Sequence, residues 1–201
     1  MPFHSQLGQD KFVVDFYKGK KHGYFVEVGA FDGVYLSNTL TLERDYQWKG
    51  ICIEPIPSYF TSLQKNRKCR TFGVAAFSAN DQQVDMCVAG VVSAVSTFIG
   101  SRFQNVLRAP RVKVKTRTLT SLFQEAKAPS FIEYLSLDTE GTELEVLRGV
   151  DFTRYTFGII DVEHNFQEVT RSAIRKLLES QGYYYHGENS VDDRYVHKSL
   201  K

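Results

Sequence analysis

Four residues carry groups suited to acid–base chemistry: Asp138, Glu140, Glu163 and His164. Asp138 closes the apolar run from Phe131 to Leu137, and Glu163-His164 closes the run from Phe157 to Val162. Short apolar runs bounded in this way read as buried strands. Carboxylates and an imidazole at neighbouring strand ends would share one rim. A group there can take the proton that an alcohol loses on becoming a nucleophile. His164 or Asp138 is the expected base, with Glu163 beside it. An alternative use of Asp138, Glu163 and His164 is to hold Mg2+ or Mn2+, which suit oxygen-rich sites with one imidazole. Glu140 and Glu143 also place favourable negative charge at a helix N-terminus.

A second constellation is Glu27-Val28-Gly29-Ala30-Phe31-Asp32-Gly33, with Glu54 lying 25 positions beyond Gly29. Glycine permits a sharp bend and close approach of the backbone to a ligand. An acid at the end of the second strand can accept hydrogen bonds from ribose hydroxyls. A dinucleotide would want a second glycine where Phe31 stands. Its pyrophosphate would also meet Glu27 and Asp32. Carboxylates suit a ligand with an ammonium and a sulfonium instead, so the charge pattern favours S-adenosylmethionine over NAD.

These residues need a scaffold that gathers strand ends. Tyr24 to Val28, Ile51 to Ile53 and Thr71 to Phe77 read as the first three strands. Helical patterns over Leu36 to Tyr46 and Ser58 to Lys65 separate them. Residues 84–118 read as an irregular β insertion of hairpin type, followed by a short helix from Leu119 to Ala126. Two capping boxes are expected, Thr142 with Glu145 and Asn165 with Glu168. Val169, Ala173 and Leu177 mark the buried face of the last helix. Tyr183 to His186 and Tyr195 to His197 close the chain as strands. The alternation predicts an α/β fold, a mostly parallel sheet with helices on both faces. One domain over 1–201 is expected, with residues 1–22 as an N-terminal helical segment.

Composition narrows the partners. The formal net charge of +2 gives no concentrated basic footprint for nucleic acid. Cys52, Cys69 and Cys87 are odd in number and read as reduced thiols, neither a disulfide frame nor a zinc site. No signal-peptide pattern opens the chain, and no apolar run reaches membrane-spanning length. A cytoplasmic protein is expected. A homo-oligomer is compatible with the sequence.

As a set, the blocks Ser5-Gln6-Leu7-Gly8-Gln9-Asp10, Phe25 to Gly33, Ser37-Asn38-Thr39, Gly50 to Pro55 and Leu135 to Gly149 resemble the FkbM-type methyltransferases. The resemblance runs through nearly the whole chain. It implies a Rossmann-like class I methyltransferase core of seven strands with the last one antiparallel. It implies O-methylation of a hydroxyl, often on a sugar or glycan. By the same matching, Glu27, Gly29, Ala30, Asp32 and Gly33 would line the methionine part of S-adenosylmethionine. Asn38 and Thr39 would meet its carboxylate, Glu54 its ribose, and Ala76 and Phe77 its adenine, with Gln9 as an extra contact. Asp138 would touch the donor as well as the acceptor. Other acceptors remain open: a lipid, a polyketide or another small molecule. So does a donor-binding module without turnover. Glycosyltransferase domains are the expected partners of a compact glycan-modifying module.

Overall fold

The computed structural model describes residues 3–98 and 101–201. Met1 and Pro2, at the head of the expected N-terminal segment, and Ile99 and Gly100, within the expected insertion, lie outside the described residues.

Helix α1 (Gln9–Phe16) leads into β1 (Tyr24–Val28), α2 (Leu40–Tyr46), β2 (Lys49–Ile53), α3 (Pro57–Asn66) and β3 (Arg70–Phe72). The middle of the chain forms β4 (Ala75–Ala76), β5 (Gln83–Cys87), β6 (Ala94–Val95) and β7 (Arg111–Arg117). Then come α4 (Leu119–Ala126), β8 (Phe131–Leu137), α5 (Glu143–Arg148), β9 (Thr156–Glu163), α6 (Glu168–Ser180), β10 (Tyr183–Asn189) and β11 (Asp192–His197).

Seven strands build the main sheet in the order β10-β11-β9-β8-β1-β2-β3. Its pairings are parallel except that β11 runs against both β9 and β10. The fold is the expected Rossmann-like class I methyltransferase architecture. Both faces are covered, which is why β1, β2, β8 and β9 are apolar nearly throughout. Alternate side chains feed opposite layers. Val26, Val28, Ile51, Leu135 and Leu137 pack on one side, and Phe25, Cys52, Tyr134 and Ile159 pack with α1 on the other.

The register sets the site. Val28 pairs with Ile53 and with Leu137, Leu137 with Val162, and Glu163 with Asp192. Gly29, Glu54, Asp138, Glu163 and Asp192 therefore share one rim. The chain switches direction between β1 and β8, where ligands bind in open α/β sheets.

Several local expectations change. The helix expected from Leu36 begins at Leu40, because residues 37–39 are spent on binding Glu27. The expected third strand divides. Arg70–Phe72 joins the main sheet, and Ala75–Ala76 pairs with β7 in a separate four-stranded sheet, order β4-β7-β5-β6. Thr142 is an N-cap without a side-chain bond, and Glu145 bonds Ser78 instead. Glu143, the first residue of α5, ties down the preceding loop instead, accepting from Thr139 and Gly141. The Asn165–Glu168 box is likewise absent: Gln167 is the N-cap of α6, and the Asn165 amide points to Glu140 and Glu163. On α6 the buried residues are Ile174 and Leu178, and Val169 is 88% exposed. A strict four-residue series drifts about 40° round a helix per step, so its far end leaves the face.

Candidate functional site

The bend after β1 is built by a buried charge network. Gly29 has φ 83°. A Cβ there would stand 1.8 Å from the Asp138 carbonyl oxygen, so only glycine lets β1 and β8 end side by side. Gly29 and Ala30 both donate their N–H to the Ile53 carbonyl. Glu27, buried beneath, accepts from the Ser37 hydroxyl, the Asn38 N–H at 2.7 Å, the Thr39 hydroxyl at 2.6 Å and the Arg67 guanidinium at 3.1 Å. Arg67 also pairs with Glu43 and donates to the Gly33 carbonyl. A buried ion pair holds its shape when its remaining hydrogen-bonding capacity is met, as it is here.

Two adjoining cavities open at the rim. The smaller, about 50 Å³, is lined by Val28, Ile53, Ala76, Met86, Val95 and Glu54, among others. The Glu54 carboxylate accepts from the N–H of Phe31 at 2.9 Å and of Ile56 at 2.8 Å. Burial nonetheless pushes its pKa up to about 7, the two N–H donors offsetting only part of the shift. The larger cavity, about 300 Å³, has a polar floor that includes Glu27, Asn38, Ser136, Asp138, Glu163 and Asn165. Val28, Gly29, Phe31 and Val91 line both.

Asp138, Glu140 and Glu163 bring carboxylate oxygens within 4.8 Å of one another. Asp138 is exposed where it opens onto the cavity. Desolvation by the surrounding protein, then repulsion from Glu140, raises its pKa above its ordinary value. Glu163 is raised by burial and by Asp138. Like charges this close cannot all ionise, so the group holds a proton.

His164 is not among them. Successive strand residues point to opposite faces, so Glu163 turns to the cavity and His164 away from it. Its side chain is 1% exposed, its Nδ1 accepts from the Phe166 N–H, and its Nε2 lies 3.9 Å from Asp193 without a hydrogen bond. Burial and then Arg171 lower its pKa, keeping it neutral. The expected base at His164 and the metal set Asp138, Glu163 and His164 are both corrected on this ground. The oxygen-only trio is of a kind that takes Mg2+ or Mn2+. The Asn165 amide nitrogen donates to Glu140 at 3.0 Å and to Glu163 at 2.6 Å, so both of these carboxylates already have a partner.

The other expected residues divide. Gln9, Glu27, Gly29, Ala30 and Asn38 line the larger cavity, and Glu54 and Ala76 line the smaller. Gln9 also clamps Asp192 at 2.7 Å. Asp32 caps the turn, accepting from the N–H of Val34 and Tyr35, and lines neither cavity. Gly33 packs against Leu63 and Arg67, and the Thr39 hydroxyl is spent on Glu27, so both face inward. Phe77 packs on Phe98 behind Ala76.

Tyr35, Val91 and Asn165 also line the larger cavity, without any signal in motif spacing, and so do Ser136, inside the Leu135 to Gly149 block, and Asp192. Asp192 could have been found from topology: an antiparallel last strand must begin at the rim where its parallel neighbours end.

The FkbM methyltransferase domain family matches residues 27–185. The chain belongs to the FkbM methyltransferase family. Solved methyltransferases share this fold at low identity. The METTL16 MTase domain matches with TM-score 0.54 and 12% identity over 98% of this chain and 68% of that one. A TehB-like SAM-dependent methyltransferase from Corynebacterium glutamicum gives 0.50 and 8% over 96% and 89%. The human methyltransferase 10 domain containing protein gives 0.50 and 9% over 98% and 83%. No curated protein matches the sequence.

The donor of this FkbM enzyme is S-adenosylmethionine, and one feature of the cavity fits it directly. Asn38 Nδ2 donates to Ser136 at 2.8 Å, while its buried Oδ1 has no partner. A buried acceptor left open calls for a donor group. The ammonium of the methionine moiety is such a group, whereas its carboxylate, the expected contact, is not. Among the described residues, no helix is long and apolar enough to cross a membrane.

Proposed function

We propose that the chain O-methylates a hydroxyl of a sugar or glycan. The observation that carries this reading is the adjacent carboxyl groups of Asp138 and Glu163, set in the same cavity as the β1 bend. Of two carboxyl groups this close, the ionised one can act as the base for an alcohol. The polar floor of the larger cavity supports a polyol over a lipid or polyketide chain.

When bound, S-adenosylmethionine supplies a methyl carbon on a positively charged sulfur. Glu54 would accept hydrogen bonds from its ribose hydroxyls, and Asn38 Oδ1 would accept from its ammonium. Asp138 would take the proton from the acceptor hydroxyl at its carboxylate oxygen, with Glu163 sharing the charge. Holding the acceptor hydroxyl in place beside the donor would supply much of the acceleration. Mass spectrometry of candidate glycans after incubation with labelled donor tests the assignment. A mass gain of one methyl group on a hydroxyl is expected. Labelling only of lipids, amines or carbon centres would overturn it, and donor binding without transfer to any acceptor would leave a binding module.

A further inference from the structure

We propose that Tyr35 is the platform on which the acceptor lays the apolar face of a pyranose ring. This rests on the sugar reading above and extends it to a residue and a ring geometry. Tyr35 is 58% exposed, yet it lines the larger cavity together with Asp138 and Glu163. Val91, 49% exposed, lines the same cavity from the 3-10 turn Gly90–Val92. The mouth therefore offers an apolar rim above a floor of carboxyl and amide groups. A pyranose matches that division, with C–H groups on one face and hydroxyls round its edge.

The loop that presents Tyr35 is held firmly in an unfavourable shape. Phe31 (φ 48°) and Leu36 (φ 56°) sit in the left-handed region on either side of it. Non-glycine residues persist there only where the surroundings impose it, and such strain gathers at functional sites. Here the surroundings are identifiable. The Asp32 carboxylate accepts the Tyr35 N–H at 2.8 Å, Asn66 donates to the Asp32 carbonyl, and the Glu27–Arg67 pair fixes residues 37–39. Phe31 packs against Tyr59 with tilted rings at 4.5 Å and meets the Tyr35 ring edge-on at 6.4 Å. A rigid aromatic loses little entropy on binding a ring, which is how tyrosine serves as an anchor.

The test uses the whole chain with S-adenosylmethionine and a panel of methyl glycosides of neutral hexoses, alongside simple phenols. Tyr35→Ala is expected to raise KM for a glycoside roughly tenfold, a common size for loss of one aromatic contact. Donor affinity, kcat at saturating glycoside and melting temperature should stay close to those of the parent. Tyr35→Phe and Tyr35→Trp should keep the parent KM. Saturation-transfer NMR with S-adenosylhomocysteine present should show the glycoside ring protons in contact with the parent but not with Tyr35→Ala. Methylation of glycosides with KM indifferent to Tyr35→Ala overturns this inference and leaves the sugar reading intact. Preference for phenols, or glycosides neither bound nor methylated, overturns both.

Discussion

The two cavities differ in what they ask of a ligand. The smaller one is apolar walled, and its roughly 50 Å³ is well below the ~150 Å³ in which a benzene ring fits. One wall is the turn around Gly90–Val92, joined to the main body by the hydrogen bond from Gly90 N–H to the Tyr59 hydroxyl. The larger cavity, about 300 Å³, already has room, but its floor concentrates carboxyl groups that repel one another. One side is limited by shape and the other by charge. On the function proposed above, binding the donor is a packing problem and activating the acceptor is an electrostatic one.

Five substitutions would break or sharpen that contrast. The largest effect is expected at the charged side. Asp138→Asn should lower kcat by about 10²–10⁴-fold, the range for losing a general base, with donor affinity nearly unchanged. His164→Ala, outside both cavities, should leave kcat within about threefold, since it would remove no group that touches the reacting atoms. Single-turnover assays with labelled donor, paired with calorimetry, check both. Equal losses in the two variants would erase the assignment.

On the shape-limited side, Gly29→Ala should abolish measurable donor binding by calorimetry. The added Cβ would collide with the Asp138 carbonyl, and a melting-point loss equivalent to about 2–4 kcal/mol should accompany it. A variant that folds and binds normally would show that the bend has slack. Next is Arg67→Met, which leaves Glu27 buried without its guanidinium. Removing one partner of such a pair costs about 3–5 kcal/mol in chemical denaturation, and Tyr35 should loosen with its loop.

The smallest effect is a pH dependence. Burial raises the Glu54 pKa to about 7, and in the proposed donor mode ribose hydroxyls would bind its ionised form. Donor affinity should therefore fall as pH drops through 7, approaching about tenfold per unit below it. Glu54→Gln should bind more weakly at pH 8 and lose the slope. A flat profile in the parent would remove Glu54 from the donor contacts.

Much of the fold was legible because burial on both faces forces an apolar strand, and a glycine or an acid marks where each strand stops. Val28-Gly29, Ile53-Glu54 and Leu137-Asp138 were all readable in that way. The pairings of side chains were not. Asp32 and Thr39 have the chemistry of ligand contacts, but the first is spent on the Val34 and Tyr35 amides and the second on Glu27. Asn165 looked like a helix cap and became a donor to two carboxylates. Each polar group bonds to whatever the packing brings nearest, and spacing along the chain carries little of that information.

By itself the sequence determined the order of strands and helices, the position of the glycine bend, the acids at the strand ends and the family. These follow from local patterns: hydrophobic period, turn residues and motif blocks. Only the tertiary structure decided that Glu163 faces the cavity while His164 faces away, that Asp192 joins the rim, and that a strained loop holds Tyr35 at the mouth. Those depend on strand pleat, on register between distant segments and on competition for hydrogen bonds, all of which exist only once the chain has packed.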